Sequence, residues 1–404
     1  MRSRDGGAFG NRNVRSRSGH TALGLVLLTG TIGCGQPQTG DPAPSPQRLV
    51  FASTYDGVAT LALDTRTGAV TTLSQVTLPA SLGARTLAVA PAGNAAYLGG
   101  CGGIGGLVSL RVDTTTGALS PFGTVAAGTC VGRIVVHPSG GLLVALVANG
   151  GELRTYRLDP ATGAPLEPAA SSVAVDAGTA LAIDPPGRVV YVAEPAGVLA
   201  FSVDTTSGGL ARVPGTPAPF PSRDQFPTAG LVTADGSFLF VAAARLTLTT
   251  VGVVWSYVLD PITGRPTALP ESEAASGEFV LNDMAANPRA RFLYGSLTRP
   301  FDHTGVSMQG PGVVAGFEIG AAGMLGPVPG SPYACGIAPK AVAVDPESGF
   351  VLVGNGFARD PRSSATGGSV SVYSADADTG RLSEVPGSPF FVAAATVNAL
   401  AFAP

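Results

Sequence analysis

"FSVDTTSGGLARVPGTP", residues 201–217, passes from alternating apolar residues into Asp204, Thr205, Thr206, Ser207 and two glycines, then into a second short apolar stretch. That order reads as a strand, a tight turn and another strand. The phrase recurs at 156–168 as "YRLDPATGAPLEP" and at 373–389 as "YSADADTGRLSEVPGSP". Its grammar is fixed: Asp64, Asp113, Asp159, Asp204, Asp260 and Asp376 each stand four residues before a glycine. A seventh copy, "FEIGAAGML", has Gly320 in the Asp place and is one residue shorter. Successive copies lie 49, 46, 45, 56, 60 and 56 residues apart, a period that points to a propeller rather than a helical solenoid. The Asp carboxylate holds the backbone N–H groups that follow it and the glycine supplies a positive φ. One turn device explains all six Asp, so none is assigned to catalysis.

A second phrase alternates with the first: "RTLAVAPAGNAAYLGG", "GRIVVHPSGGLLVALV", "TALAIDPPGRVVYVAE", "AGLVTADGSFLFVAA", "NDMAANPRARFLYGS" and "KAVAVDPESGFVLVGN". Each is an apolar strand, a turn and a β-branched strand, hence a hairpin. A hairpin followed by the first phrase gives four antiparallel strands, one blade. The chain closes with "VNALAFAP", an inner strand without a following partner, while residues from Gln47 supply three strands without an inner one. Joined, the two ends complete a seventh blade and leave no open edge. The expected fold is all-β: a seven-bladed β-propeller closed by its terminal strands.

"GRVVYVAE" with "VLAFSVDTTSGGL", repeated through residues 47–404, resembles the lactonase-like seven-bladed propellers, which include 6-phosphogluconolactonase and carboxymuconate cyclases and lie close to the Tyr-Val-Thr-Asn propellers. The resemblance implies His, Arg and Glu side chains around a central mouth. It speaks for fold more than for activity. WD-type propellers fit worse, since the one Trp, Trp255, is not followed by Asp.

Gly (56) and Pro (34) make up about a fifth of the 404 residues, yet apolar residues reach 45%, enough for a core punctuated by turns. Charged residues are 13% and the net charge is −3, and no basic stripe indicates nucleic acid. One Lys, Lys340, stands against 23 Arg, a bias of coding rather than of chemistry. Residues 1–33 read as a signal peptide: five Arg precede the apolar run "TALGLVLLTGTIGC", too short for the roughly 20 residues of a spanning helix. The run ends at Cys34 in a setting that resembles a lipobox, with Thr31 where Leu is usual; an ordinary secretory signal is the alternative. Residues 34–46, rich in Pro, read as a tether, and 47–404 as the propeller. The expected location is the envelope, by lipid anchor, at the outer membrane in a bacterium that has two.

Three loops between second and third strands are long: "AAARLTLTTVG", "GSLTRPFDHTGVSMQGPG" and "GNGFARDPRSSATGG". They gather Arg245, Arg299, Asp302, His303, Arg359, Asp360 and Arg362 on one rim, either a recognition surface or tolerated insertions. His137, after an inner strand, reads as a turn residue on the far face, and Glu194 as structural. Three loops entering the inner strands, "VDAGTA", "RDQFPTAG" and "GIAPKA", hold no His and no Arg–His pair, and no G-x-S-x-G elbow, metal spacing or cofactor motif is present. Cys101 and Cys130 fall at adjacent blade positions as a disulfide pair, leaving Cys335 unpaired. The expectation is a monomeric propeller binding a small molecule or an envelope protein; a divergent lactone hydrolase or cyclase and a structural envelope protein are the alternatives.

Overall fold

Each blade grows outward from a short inner strand. In the computed structural model, which describes residues 46–125, 130–147, 151–246, 250–269, 274–275, 279–298, 311–356, 358–359, 366–393 and 396–404, seven inner strands stand side by side around a channel. They are Val397–Phe402 of blade 1, Ala84–Val89 of blade 2, Val131–Val136 of blade 3, Ala180–Ile183 of blade 4, Gln225–Val232 of blade 5, Val280–Ala286 of blade 6 and Ala341–Val344 of blade 7. Each begins an antiparallel sheet, of four strands in blades 1–4 and with short additional strands in blades 5, 6 and 7. Blade 1 joins the two ends of the chain: Val50–Thr54 pairs with Val397–Phe402.

Successive side chains of a strand point to opposite faces, so every blade has two apolar faces and each meets one neighbour. In blade 4, Val190 and Val192 pack with Val144 and Leu146 of blade 3. Val189 and Tyr191 of the same strand pack with Leu239 and Val241 of blade 5. Among the described residues the core divides into seven clusters, one at each junction between blades. The hydrophobic core lies between the sheets.

The recurring turn belongs to these junctions. Asp204 Oδ1 accepts the N–H groups of Thr206 and Ser207, and the other five Asp do the same in their own turns. The turn is thereby stiff enough to be pressed against another blade. Its glycine (Gly68, Gly117, Gly163, Gly208, Gly264, Gly323 or Gly380) has φ between 68° and 79°. Six of the seven lie against Leu49, Leu142, Val189, Phe238, Phe292 or Phe350, near the start of the second strand in the preceding blade; Gly163 meets Ala95 and Tyr97. Gly68 of blade 1 meets Phe350 of blade 7, which closes the series.

Hydroxyls add a polar half to the contact. Tyr97, Tyr191 and Tyr294 donate to the carbonyls of Gly163, Gly264 and Gly380 at 2.7–2.8 Å. Thr60 and Thr155 donate to those of Gly117 and Gly208. Burial pushes the Tyr97 phenol up to about 12, so it remains a donor at physiological pH.

The C-terminal ends of the inner strands carry the hairpin turns, on the same side of the ring as the recurring turns. His137 is buried there as a turn residue. Ser139 N–H donates to its Nδ1 (3.0 Å), which leaves Nε2 to donate to the Gly187 carbonyl of the next blade (2.8 Å). Arg48 of blade 1 pairs with Asp345 and, at 2.7 Å, with Glu347 of blade 7, a second fastening at the closure. The Pro46 carbonyl accepts from Thr65 N–H (3.0 Å), so the fold takes hold of the chain one residue inside the segment read as tether.

Candidate binding site at the channel mouth

Counting back five residues from the hairpin turn reaches the same structural position in every inner strand. In blades 1, 2, 3, 5 and 6 it is Asn398, Arg85, Gly132, Thr228 and Asn282, each an extra residue in the ladder. In blades 4 and 7 it is Thr179 and Lys340, whose N–H groups bond Ala193 and Gly354, the residues already opposite Ala180 and Ala341. Two residues against one is a β-bulge, which interrupts the pairing and re-aims a side chain. Seven bulges at one level make a collar of backbone and side chains at one end of the channel.

Four collar side chains are spent on the next blade. Asn398 donates to the Ala84 carbonyl (2.9 Å), Thr179 to Pro227 (2.5 Å), Thr228 to Leu281 (2.5 Å) and Asn282 to Pro339 (2.8 Å). Each acceptor directly precedes the neighbour's own bulge residue. Blade 3 has only Gly132 at the collar, and its following residue, Arg133, reaches into the space instead. Its guanidinium donates to the carbonyls of Thr179 (3.4 Å), Thr228 (2.7 Å) and Asn282 (3.5 Å), so one side chain from blade 3 touches blades 4, 5 and 6. The Nη1 group makes no hydrogen bond among the described residues.

Asp283, the residue after the blade 6 bulge, accepts the Val342 N–H at 3.1 Å. Enclosure by protein raises its carboxyl above the usual carboxylate range, against the pull of Arg133 and of the Val342 and Met284 N–H groups. Lys340 shows the complementary effect: desolvation lowers its ammonium below the usual value, and the charge of Arg85 acts in the same direction. The mouth therefore holds three cationic side chains and one carboxyl group. Such a set can bind an anion, accept from a hydroxyl or polarise a carbonyl.

The residues expected from sequence fall differently. Arg245 lies near the end of the second strand of blade 5, opposite Gln225. Arg359 lies in Ala358–Arg359, paired with Thr366 and Gly367. Arg299, Asp302, His303, Asp360, Arg362 and Cys34 lie outside the described residues. Glu194 is buried, and its Oε2 accepts the Asp176 N–H (2.9 Å), which fastens the approach to the blade 4 bulge. Cys101 and Cys130 form a disulfide that fixes the chain two residues before Gly132. Cys335 is free, with its thiol pushed up to about 12 by burial, and so is a poor nucleophile at neutral pH.

Sequence reading missed Arg85, Arg133, Asn282, Asp283 and Asn398, because it searched the loops for His rather than the first residues of the strands. Aligning the seven inner strands on their turns would have found them.

The chain superposes on a protein from Lactobacillus plantarum with a TM-score of 0.70 at 19% identity, over 88% of this chain and 99% of the other. Its fold is that of the lactonase-like propellers. A Bacteroides fragilis protein proposed to be a 6-phosphogluconolactonase matches with a TM-score of 0.70 at 17% identity, over 90% of this chain and 100% of that one. The periplasmic gluconolactonase of Pseudomonas aeruginosa matches at 0.66 and 17%, over 89% and 99%. No family model matches the sequence, and a comparison with curated proteins returns no match. At these identities the lactonase-like likeness is one of fold, and the side chains at the mouth carry the argument about function.

Proposed function

We propose that this chain is an exported, lipid-anchored propeller that binds a small polar ligand in the mouth of its central channel. The observation that carries the reading is Arg133, held by carbonyls of three other blades beneath a collar that leaves cationic groups facing solvent. A purely structural ring has no need of such a group on its axis, where desolvation is costly. Titration calorimetry with sugar acids, sugar lactones and neutral sugars tests it. Binding to the full chain, lost on Arg133→Ala and weakened on Asp283→Asn, is the expected result. Binding that both variants leave unchanged places the ligand elsewhere.

One observation favours a second reading, lactone hydrolysis. Asp283 and Arg133 are a carboxyl of raised pKa and a guanidinium with a vacant Nη1, which suits proton transfer beside a polarised carbonyl. Water would attack the ester carbon as Asp283 takes its proton. Arg133 would hold the oxyanion until the ring C–O bond breaks, and the leaving alkoxide would take up the proton. Lactone opening above the spontaneous rate, abolished by Asp283→Asn, would establish this reading; opening at the spontaneous rate leaves binding alone.

The anchor has its own test. Cys34→Ser is expected to remove the lipid mass and release the protein from the membrane fraction. Unchanged mass and fractionation would leave an ordinary secretory signal as the reading of residues 1–33.

A further inference from the structure

We propose that the outer strand of blade 1, Val70–Thr77, is a self-association edge that pairs antiparallel with the same strand of a second copy of this chain.

A sheet edge offers unpaired N–H and C=O groups to any strand that fits, and folded chains blunt such edges with short strands, proline or charge. Six blades are blunted in this way. Blade 2 has Pro121 within its outer strand, Leu119–Val125. The outer strand of blade 3, Ser171–Ala174, has four residues. Those of blades 4–7 have three each: Leu210–Arg212, Pro266–Ala268, Leu325–Pro327 and Leu382–Glu384. The additional strands of blades 5, 6 and 7 have two, five and four. Blade 1 alone presents eight residues, "VTTLSQVT", with no proline and no charge. No strand among the described residues pairs with its outer side. Thr72 and Gln75 bond the Val392 carbonyl of blade 7, at 3.4 and 2.7 Å, through their side chains. These bonds hold the strand in place and leave its backbone edge unpaired.

The pattern of that edge selects its occupant. Leu78 N–H bonds the Asp56 carbonyl, and Asp64 N–H bonds the Ala69 carbonyl. Alternation inward from these two ends turns Val76, Ser74 and Thr71 toward the third strand of the blade. Val70, Thr72, Gln75 and Thr77 then face outward, and Leu73 is the extra residue of a bulge opposite Thr60. The outward positions are symmetric about the bulge. Across a two-fold axis between Leu73 and Ser74, Val70 of one copy meets Thr77 of the other, and Thr72 meets Gln75. The bulge residues meet two against two, so the bulge costs the joint no register. A strand of another protein would need the same bulge at the same place. The chain's own residues 35–45 are a poor occupant, because Pro37, Pro42 and Pro44 have no N–H to give. Blade 2 repeats the bulge but sets Pro121 where blade 1 has Thr72, which removes one of the outward donors.

Sedimentation of the purified full chain tests the pairing, with Cys34→Ser so that no acyl chain contributes. A reversible dimer at micromolar concentration is expected. Thr72→Pro should weaken it at least about tenfold, since one outward N–H is lost from each copy. The thermal midpoint should hardly move, because blade 2 already carries proline there. Leu73→Lys brings two like charges across the axis through a side chain that is 46% exposed, and should weaken the dimer while leaving the fold intact. Leu73→Cys under mild oxidation should give a disulfide-linked dimer. Leu166→Cys, in blade 3 and 42% exposed, should not. A monomer throughout the micromolar range overturns the proposal. So does a dimer that Thr72→Pro and Leu73→Lys both leave intact, or one that Leu166→Cys links as readily as Leu73→Cys.

Discussion

A chain ending at residue 395 is expected to aggregate, or to melt far below the intact protein. The nine residues removed are the centre of blade 1. Val397 is fully buried, and Leu400 and Phe402 pack in the cluster that joins blades 1 and 7. The ladder from Val50 to Thr54 loses its partner, and Asn398 no longer ties the collar to blade 2. Burying one large apolar side chain contributes roughly 1.5–3 kcal/mol, so losing three rivals the ~5–15 kcal/mol that separates a whole domain from its unfolded chain. Removing residues 35–44 instead should leave the thermal midpoint nearly unchanged. If the two truncations melt alike, the ring is not held shut by this strand.

The second large effect is expected at a single glycine. Gly264→Val places a side chain where φ is +68°, with its Cβ 2.5 Å from Val189 Cγ2 and 3.1 Å from the Tyr191 hydroxyl. A left-handed conformation is disfavoured for any L-residue, most of all a branched one. The contact also presses into blade 4, whose Tyr191 donates to the Gly264 carbonyl. Strain and overpacking together should cost about 2–4 kcal/mol, read as a lower midpoint in thermal or urea unfolding. Gly326→Ala is the control, because nothing lies within 4 Å of its added methyl. Equal losses from both substitutions would mean that neither the left-handed turn nor its contact with blade 4 contributes to stability as argued.

The blade count was legible because a turn must be rewritten wherever it is used, and Asp64, Asp113 and the others keep their spacing. What the turn touches was not. Gly117 and Leu49 meet across 68 positions of chain, and no local pattern announces that contact. The collar was illegible for a different reason. A bulge changes where a residue points without demanding a residue type, so Arg85, Gly132, Thr179 and Lys340 share a position and no chemistry. The long loops stood out by length alone, and five of their seven charged residues lie outside the described residues. The disulfide was legible because Cys101 closes the second strand of one blade and Cys130 enters the inner strand of the next.

The junction between turn and neighbour has a direction. Each blade offers its turn glycine to the blade before it and its own second strand to the blade after, as Gly264 and Val189 do. In assembly terms this is a heterologous, head-to-tail contact, and such contacts either close into a ring or propagate without end. Here seven of them close within one polypeptide. A chain that has lost its closing strand keeps one unsatisfied surface of each kind, and these fit one another on different molecules. Its misfolding would then take the form of ordered chains of propellers, with the same joint that makes the monomer extended into a polymer.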